Sequence, residues 1–378
     1  MRNLHQLRYC GAIPPHILTR IASRSGPETS SRALATLEQM REIIAARGLL
    51  PEAAEVAKKG PTKNRRVYDA KHRRQTPGHL VMMEHWPRIA DVEVNESFDG
   101  AGTTYDFWFL TFGRSSVDGK GKRLDSTVHY GTRFDNAMWD GRQMIYGDGD
   151  GKIFKRFTAS LDVIGHEITH GHTQYLCNLG YSGQTGAINE HISDAFGSMV
   201  KQWAQNQTAN QADWLIGAEL FGPGVAARGI RSLAAPGTAY DDPVLGKDPQ
   251  PAHMRDYVVT QDDNGGVHIN SGIPNHAFYI LCTTLGGYSW EKAGRIWFTT
   301  VAERLSSDAD FNDFARATVA VAGELYGEGG NVQLTVAQAW ALVGIGVPLS
   351  GKPVPASNPP HPTLRPSAHA AQPLPLAA

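Results

Sequence analysis

The stretch LDVIGHEITHGHTQYLCNLGYSGQTGAINEHISD, residues 161–194, decides how this chain is read. Its first residues carry H-E-x-x-H at His166, Glu167 and His170. Positions four apart on a helix lie on one face, one turn from each other, so both imidazoles can reach one small ion. Two neutral imidazoles and one carboxylate suit zinc and leave the fourth tetrahedral position for water. Glu190 supplies that carboxylate, 20 residues beyond His170 on what should be the next helix after a Gly-rich turn. Asp194 shares its helix face and can accept the second ring N–H of a ligand histidine, and Asn189 can do the same for the other ring. Glu167 is turned about 100° around the helix from His166, which suits a general base facing the open metal position rather than a ligand. Water attack on a carbonyl then puts negative charge on its oxygen, and that charge asks for donors beside the metal.

A second block, QDDNGGVHINSG at residues 261–272, answers that demand. It sets His268 in a Gly-rich turn ahead of a helix. Asp263, five residues upstream, can hold the ring protonated or oriented. Taken singly, His166 would read as a satisfied polar residue of a helix pair and His268 as a surface or capping residue; in context they read as one site.

Outward from these blocks, the chain changes character on both sides. After Ser160 the periods are helical, with candidates at 161–175, 185–205, 272–285, 289–305, 310–326 and 335–343. From 67 to 157 the text is strand-like, with TYDFWFLTF, STVHYG and QMIYGDG punctuated by Gly, Asp and Asn. The expected fold is therefore α+β: a β-rich N-lobe over residues 61–160 and a mainly α-helical C-lobe over 161–350, with the zinc helix between them. Residues 1–60 read as a separate leading segment with a Pro-Pro turn at Pro14–Pro15 and one helix over 32–47, for which Ser30 and Ser31 are candidate caps. Residues 351–378 contain eight prolines and read as a disordered tail.

The 378 residues hold 36 Lys and Arg against 37 Asp and Glu, a net charge of −1 that predicts no global pull toward nucleic acid or anionic lipid. The balance is uneven. Residues 1–74 hold 15 basic and 6 acidic side chains (+9), leaving −10 for the remainder. Eight of the basic residues fall between Lys58 and Arg74, a run that reads as a solvated, protease-sensitive linker sooner than as a nucleic-acid site. Three cysteines cannot form a disulfide framework, no apolar run reaches membrane-spanning length, and no Sec-type signal peptide is legible at the start.

These motifs, in this order, resemble the thermolysin-like neutral zinc metalloendopeptidases over roughly residues 67–347, through VHYGTRFDNAMWDGRQMIYGDGDG, LDVIGHEITHG, GAINEHISDAFG and DNGGVHINSGIPNHAFY. The short leading segment with its Pro-Pro motif is most similar to that of the protealysin branch. The resemblance implies a zinc endopeptidase made as a self-inhibited precursor. His166, His170 and Glu190 would hold the metal, Glu167 would be the general base and Asp194 the orienting carboxylate. Tyr181 and His268, backed by Asp263, would stabilise the oxyanion. Asn136 and the Ala137 carbonyl, beside Trp139, would hold the substrate backbone, and Arg231 would contact the carbonyl after the cleaved bond. Phe154, Phe157, Val163, Ile216, Leu220 and Ile230 would line the main specificity pocket, giving cleavage before bulky hydrophobic residues.

The sequence also departs from the family. In calcium-rich members an acidic cluster near the zinc helix binds two calcium ions. Here Asp162, Glu190 and Asp213 remain, but Lys201, Leu215 and Ala218 stand at the other matching positions, and Arg228 replaces an aspartate of another calcium site. The expectation is a lost double-calcium site with Lys201 as internal counterion. The leading segment is expected to cover the acidic cleft as an intramolecular inhibitor and to be removed near residues 48–70, and Cys10 is a candidate thiolate cap on the zinc. A monomer acting on peptides is expected, secreted if it follows its family, although the missing Sec signal leaves cytoplasmic or other export routes open. The rival readings are a silent peptide-binding module, which would not need Glu167, Tyr181, His268 and Asp263, and a structural zinc protein, which would want four protein ligands.

Overall fold

The computed structural model describes residues 11–47 and 63–348. Cys10, the expected processing region up to residue 62 and the Pro-rich tail lie outside the described residues. No helix among the described residues is long and apolar enough to cross a membrane.

The leading segment folds as a helical hairpin. Pro14–Pro15, expected as a turn, starts a helix instead: Pro15 opens α1 (Pro15–Arg24), where a missing N–H costs nothing. The next helix, α2 (Pro27–Arg47), begins five residues ahead of the expected one, so Ser30 and Ser31 lie inside it rather than capping it.

The N-lobe carries one five-stranded sheet of β1 (Arg65–Asp69), β2 (His79–Met83), β3 (Leu124–Val128), β4 (Ala137–Trp139) and β5 (Met144–Tyr146), in the order β2-β1-β3-β5-β4. The expectation of a mostly β lobe needs correction, because TYDFWFLTF belongs to a 21-residue helix, α3 (Val92–Phe112). Asp91 caps it by accepting from Val94 N at 3.2 Å, and Gly113 ends it in the left-handed conformation at φ 69°. Val94, Ser97, Ala101, Tyr105, Trp108 and Phe112 are all buried, at three- and four-residue spacing. Intrinsic helix propensities differ by under about 0.7 kcal/mol among such residues, so burial of that stripe overrides their β preference.

The C-lobe holds the six expected helices with boundaries shifted by a few residues: α4 (Leu161–Leu176), α5 (Gly183–Ala204), α7 (Gly272–Leu285), α8 (Lys292–Glu303), α9 (Phe311–Tyr326) and α10 (Asn331–Leu342); a further short helix, α6 (Asp263–Asn270), forms where only a Gly-rich turn was expected. A short antiparallel pair, β6 (Leu215–Ile216) and β7 (Arg231–Ser232), lies between α5 and α6. Two glycines set the spacing of the helices that matter most. A Cβ on Gly197 would sit 2.4 Å from the Asp162 carbonyl oxygen, and one on Gly165 would sit 3.2 Å from Gly197 Cα. Glycine at both positions lets the backbones of α4 and α5 touch and brings the side chains of one helix against the other.

Candidate metal centre

His166 and His170 project from the same face of α4, and their Nε2 atoms lie 3.1 Å apart. Glu190 on α5 meets them, with carboxylate oxygens 3.5 Å from His166 Nε2 and 3.4 Å from His170 Nε2. His166 and Glu190 are fully buried and His170 is 4% exposed. The outer ring nitrogens fix the chemistry of the inner ones. His166 Nδ1 lies 2.8 Å from Asp194 Oδ1, and His170 Nδ1 lies 2.9 Å from Asn189 Oδ1 and 3.1 Å from Ser193 Oγ. An imidazole that donates from Nδ1 to these acceptors presents a lone pair at Nε2. Two lone pairs facing each other at 3.1 Å, beside a buried carboxylate whose Oε2 has no hydrogen-bond partner, repel unless a cation sits among them. The spacing fits one zinc ion with bonds of about 2.0–2.2 Å in tetrahedral array.

Asp194 is held as firmly as it holds. Arg231 on β7 donates to both its oxygens, from Nε at 2.8 Å and Nη2 at 2.8 Å, and Asn275 Nδ2 on α7 donates to Oδ2 at 2.8 Å. Burial alone would raise the Asp194 carboxyl, but Arg231 and His166 hold it far below the usual carboxylate range.

Glu167 takes no part in the trio. Its Oε2 accepts from Trp139 N at 2.9 Å, while Oε1 is buried with no hydrogen-bond partner. Burial, with the neighbouring Glu190 carboxylate adding to it, pushes its carboxyl up to about 7. Tyr181 and His268 converge on Glu190 from the other side. The Tyr181 hydroxyl donates to Glu190 Oε1 and lies 3.3 Å from His268 Nε2, and His268 Nε2 lies 3.4 Å from Glu190 Oε2. The Gly-rich turn explains how Asp263 reaches His268. Asp263, Asn264, Gly265 and Gly266 all have positive φ, between 52° and 86°, which curls the chain back so that Asp263 Oδ1 lies 2.6 Å from His268 Nδ1 and Oδ2 accepts from His268 N at 2.9 Å. Burial lowers the imidazole, but Asp263 and Glu190 outweigh it and raise it to about 9.

The residues expected to hold a substrate backbone are already engaged by the leading segment. Ala12 N donates to the Ala137 carbonyl at 2.9 Å, Ile13 N donates to Asn136 Oδ1 at 2.8 Å, and Asn136 Nδ2 donates to the Ile13 carbonyl at 3.0 Å. Arg231 Nη1 donates to the Ala12 carbonyl at 3.2 Å. Residues Gly11–Pro14 thus lie buried along the free edge of β4, joined to it by one backbone hydrogen bond and by the Asn136 side chain. Behind them, Arg32 pairs with Asp135 at 2.6 Å and Arg20 Nη1 donates to the Lys247 carbonyl at 2.8 Å.

All six expected pocket residues are buried to within 1%. Phe154 and Phe157 pack ring to ring at 5.7 Å, Ile230 N donates to the Ile216 carbonyl at 2.7 Å, Lys155 N donates to the Leu220 carbonyl at 2.7 Å, and Val163 belongs to the same core. Lys201 is only 3% exposed. Its ammonium lies 2.6 Å from Asp162, 3.1 Å from Asp213 and 2.9 Å from the Leu215 carbonyl. Burial pulls against its charge, but Asp162, Asp213 and Glu219 keep it protonated.

Sequence reading missed Ser193, the grip of Arg231 on Asp194, and Asn275. These contacts join residues 23, 37 and 81 positions apart, and no local pattern announces them.

With this geometry in hand, comparison with known proteins is consistent. Residues 56–174 match the family described as thermolysin metallopeptidase, catalytic domain, and residues 177–345 match its alpha-helical domain. The chain is 49% identical over 339 residues to an extracellular metalloprotease of Pectobacterium carotovorum subsp. carotovorum, covering 89% of this chain and 97% of that protein. It is 44% identical over 349 residues to protease PrtS of Photorhabdus sp. (strain Az29), covering 90% and 93%. Among solved structures, the precursor of protealysin, a metalloproteinase from Serratia proteamaculans, superposes with a TM-score of 0.82 at 47% identity, covering 89% of this chain and 99% of that one.

Proposed function

Because this chain belongs to the thermolysin family of zinc-dependent metallopeptidases, we propose that it is an endopeptidase with Glu167 as general base, held inactive by residues 11–47. A zinc ion on His166, His170 and Glu190 would supply Lewis acidity and bring the pKa of water near neutrality. Glu167 would take the water's proton and hand it to the departing amine. The observation that carries this is its Oε1: a buried carboxylate oxygen with no hydrogen-bond partner, on a residue that follows His166 and interacts electrostatically with His166 and Glu190. Tyr181 and the imidazolium of His268, oriented by Asp263, would donate to the oxyanion. The substrate would pair with Asn136, Ala137 and Trp139 as an added strand while Arg231 took the carbonyl after the cleaved bond. The apolar set of Phe154, Phe157, Val163, Ile216, Leu220 and Ile230 supports a preference for bulky hydrophobic residues at that position.

The contacts of Gly11–Ile13 with Asn136, Ala137 and Arg231 support the inhibitory role, since segment and substrate require the same donors and acceptors. Lys201 supports loss of the double-calcium site: Asp162 already accepts from Lys201, from Ser160 Oγ at 2.6 Å and from Gly217 N at 3.1 Å. Its oxygens therefore have little to offer the 6–8 oxygen shell that calcium wants.

The test is Glu167→Gln in the processed enzyme, assayed on a quenched-fluorescence peptide with a bulky residue after the scissile bond. The expected result is a loss of about 10²–10⁴-fold in kcat with one zinc ion still bound. Activity retained by this variant, or wild-type activity indifferent to a zinc chelator, would contradict the mechanism.

A further inference from the structure

His191 follows the ligand Glu190 on α5, is fully buried and has no part in the proposed chemistry. Trp297 Nε1 on α8 lies 2.7 Å from its Nε2, and an indole N–H can only donate. His191 Nε2 must therefore be a lone pair, and the ring's single proton sits on Nδ1, 2.8 Å from Asn275 Oδ1. The carboxamide of Asn275 is then fixed with its oxygen toward His191 and its NH₂ toward Asp194 Oδ2 at 2.8 Å. Asp194 in turn sets His166. Each link from Trp297 to Asp194 has one possible direction, and the orientation of His191 and Asn275 follows from the Trp297 N–H. Trp297, His191, Asn275 and Asp194 are all fully buried, where hydrogen bonds polarise one another and no water can substitute for a lost partner.

We infer that His191 and Trp297 are positioning residues for the metal centre, acting through Asn275 and Asp194 on the ligand His166. The inference rests on the zinc reading of the site. Freed from His191, the Asn275 amide can turn over and present its oxygen to the Asp194 carboxylate, so the carboxylate loses a donor and gains a repulsion. A role in packing alone would need only the shapes of these rings, which Phe278 and Phe314 already surround.

The experiment measures zinc affinity of the full-length chain by competition with dipicolinate, together with ¹⁵N-imidazole NMR of the His191 ring. Outer-shell partners of metal ligands are worth about 10–100-fold in affinity. His191→Leu, which breaks both bonds, is expected to weaken zinc by about tenfold or more. His191→Gln, which can accept from Trp297 and donate to Asn275, is expected to restore affinity to near the parent value. Trp297→Phe is expected to weaken zinc and convert one fixed Nδ1–H tautomer into a mixture. Equal affinities for the Leu and Gln variants would overturn the inference, as would a parent ring protonated at Nε2. If His191→Leu does not fold, Trp297→Phe decides, and unchanged zinc affinity in that variant is again fatal. A parent chain that takes up no zinc removes the zinc reading itself, and the inference falls with it.

Discussion

At the residue scale, the chain repeatedly uses one buried charge to complete another. Asp194 accepts from Arg231 and Asn275 and lies 2.8 Å from His166 Nδ1, and Lys201 ties Asp162 to Asp213. Lys201→Met would leave Asp162 buried without its counterion. Removing one partner of such a pair costs about 3–5 kcal/mol, so thermal unfolding of the variant should fall well below that of the parent. The same reading expects EGTA to leave the parent's melting temperature unchanged, and a drop of several degrees on chelation would sink it. How far such residues were legible depended on distance along the chain. His166, Glu167, His170 and Glu190 fall within 25 residues and announce themselves by helical spacing. Asn275 and Trp297 reach the site from helices 84 and 106 positions beyond His191, through bonds that no sequence pattern encodes.

At the element scale, α4 and α5 were readable because their helical spacing agrees with the Gly-rich turn between them. Helix α3 was not, because its aromatic residues favour strands and only Asp91 and Gly113 at its ends mark it as helical. Asp91 does more than cap. His129, just after β3, lies 3.0 Å from Asp91 Oδ2 and 2.9 Å from Asp148 Oδ1, which joins the start of α3 to the loop after β5. The hydrogen bond to Asp148 leads in raising the imidazole to about 9, with Asp91 adding to it. A folded-state value above the unfolded one means this pair of bonds stabilises fully below about 6.5 and is lost as pH rises through about 9. The ring is 15% exposed and its partners Asp91 and Asp148 are 32% and 28% exposed, so solvent screening holds the gain to at most about 1 kcal/mol. Denaturant unfolding of His129→Gln should therefore match the parent at pH 9.5 and fall below it at pH 6. A gap that stays constant across that range would rule out the charge as its origin.

At the scale of the whole molecule, the leading segment, the edge of β4 and the metal centre form one continuous contact. Ile13 is fully buried between them. Ile13→Asp would place an unpaired carboxylate there, at a cost of several kcal/mol, and should free the cleft. Freshly purified full-length variant is expected to show peptidase activity on the order of tenfold above the parent, and self-cleavage beyond Arg47 should be faster by mass spectrometry. Parent-level latency in a folded variant would mean that the segment's docking along β4 does not restrain activity. The two-lobed α+β arrangement was legible as a whole, since composition changes sharply at Ser160. The path of the segment was not: nothing in GAIPPHIL states that its first residues would dock along the edge of β4.

That docked segment has a consequence for how the proposed latency would end. While the backbone is continuous, the blocking residues are confined near the cleft at a local level in the millimolar range, which even weak pairing can exploit. Once the connection is severed, the same hydrogen bonds must compete by ordinary mass action, and their hold fades as the solution is diluted. Activation would then be sharper in a large volume than in a crowded one, with no change in any contact.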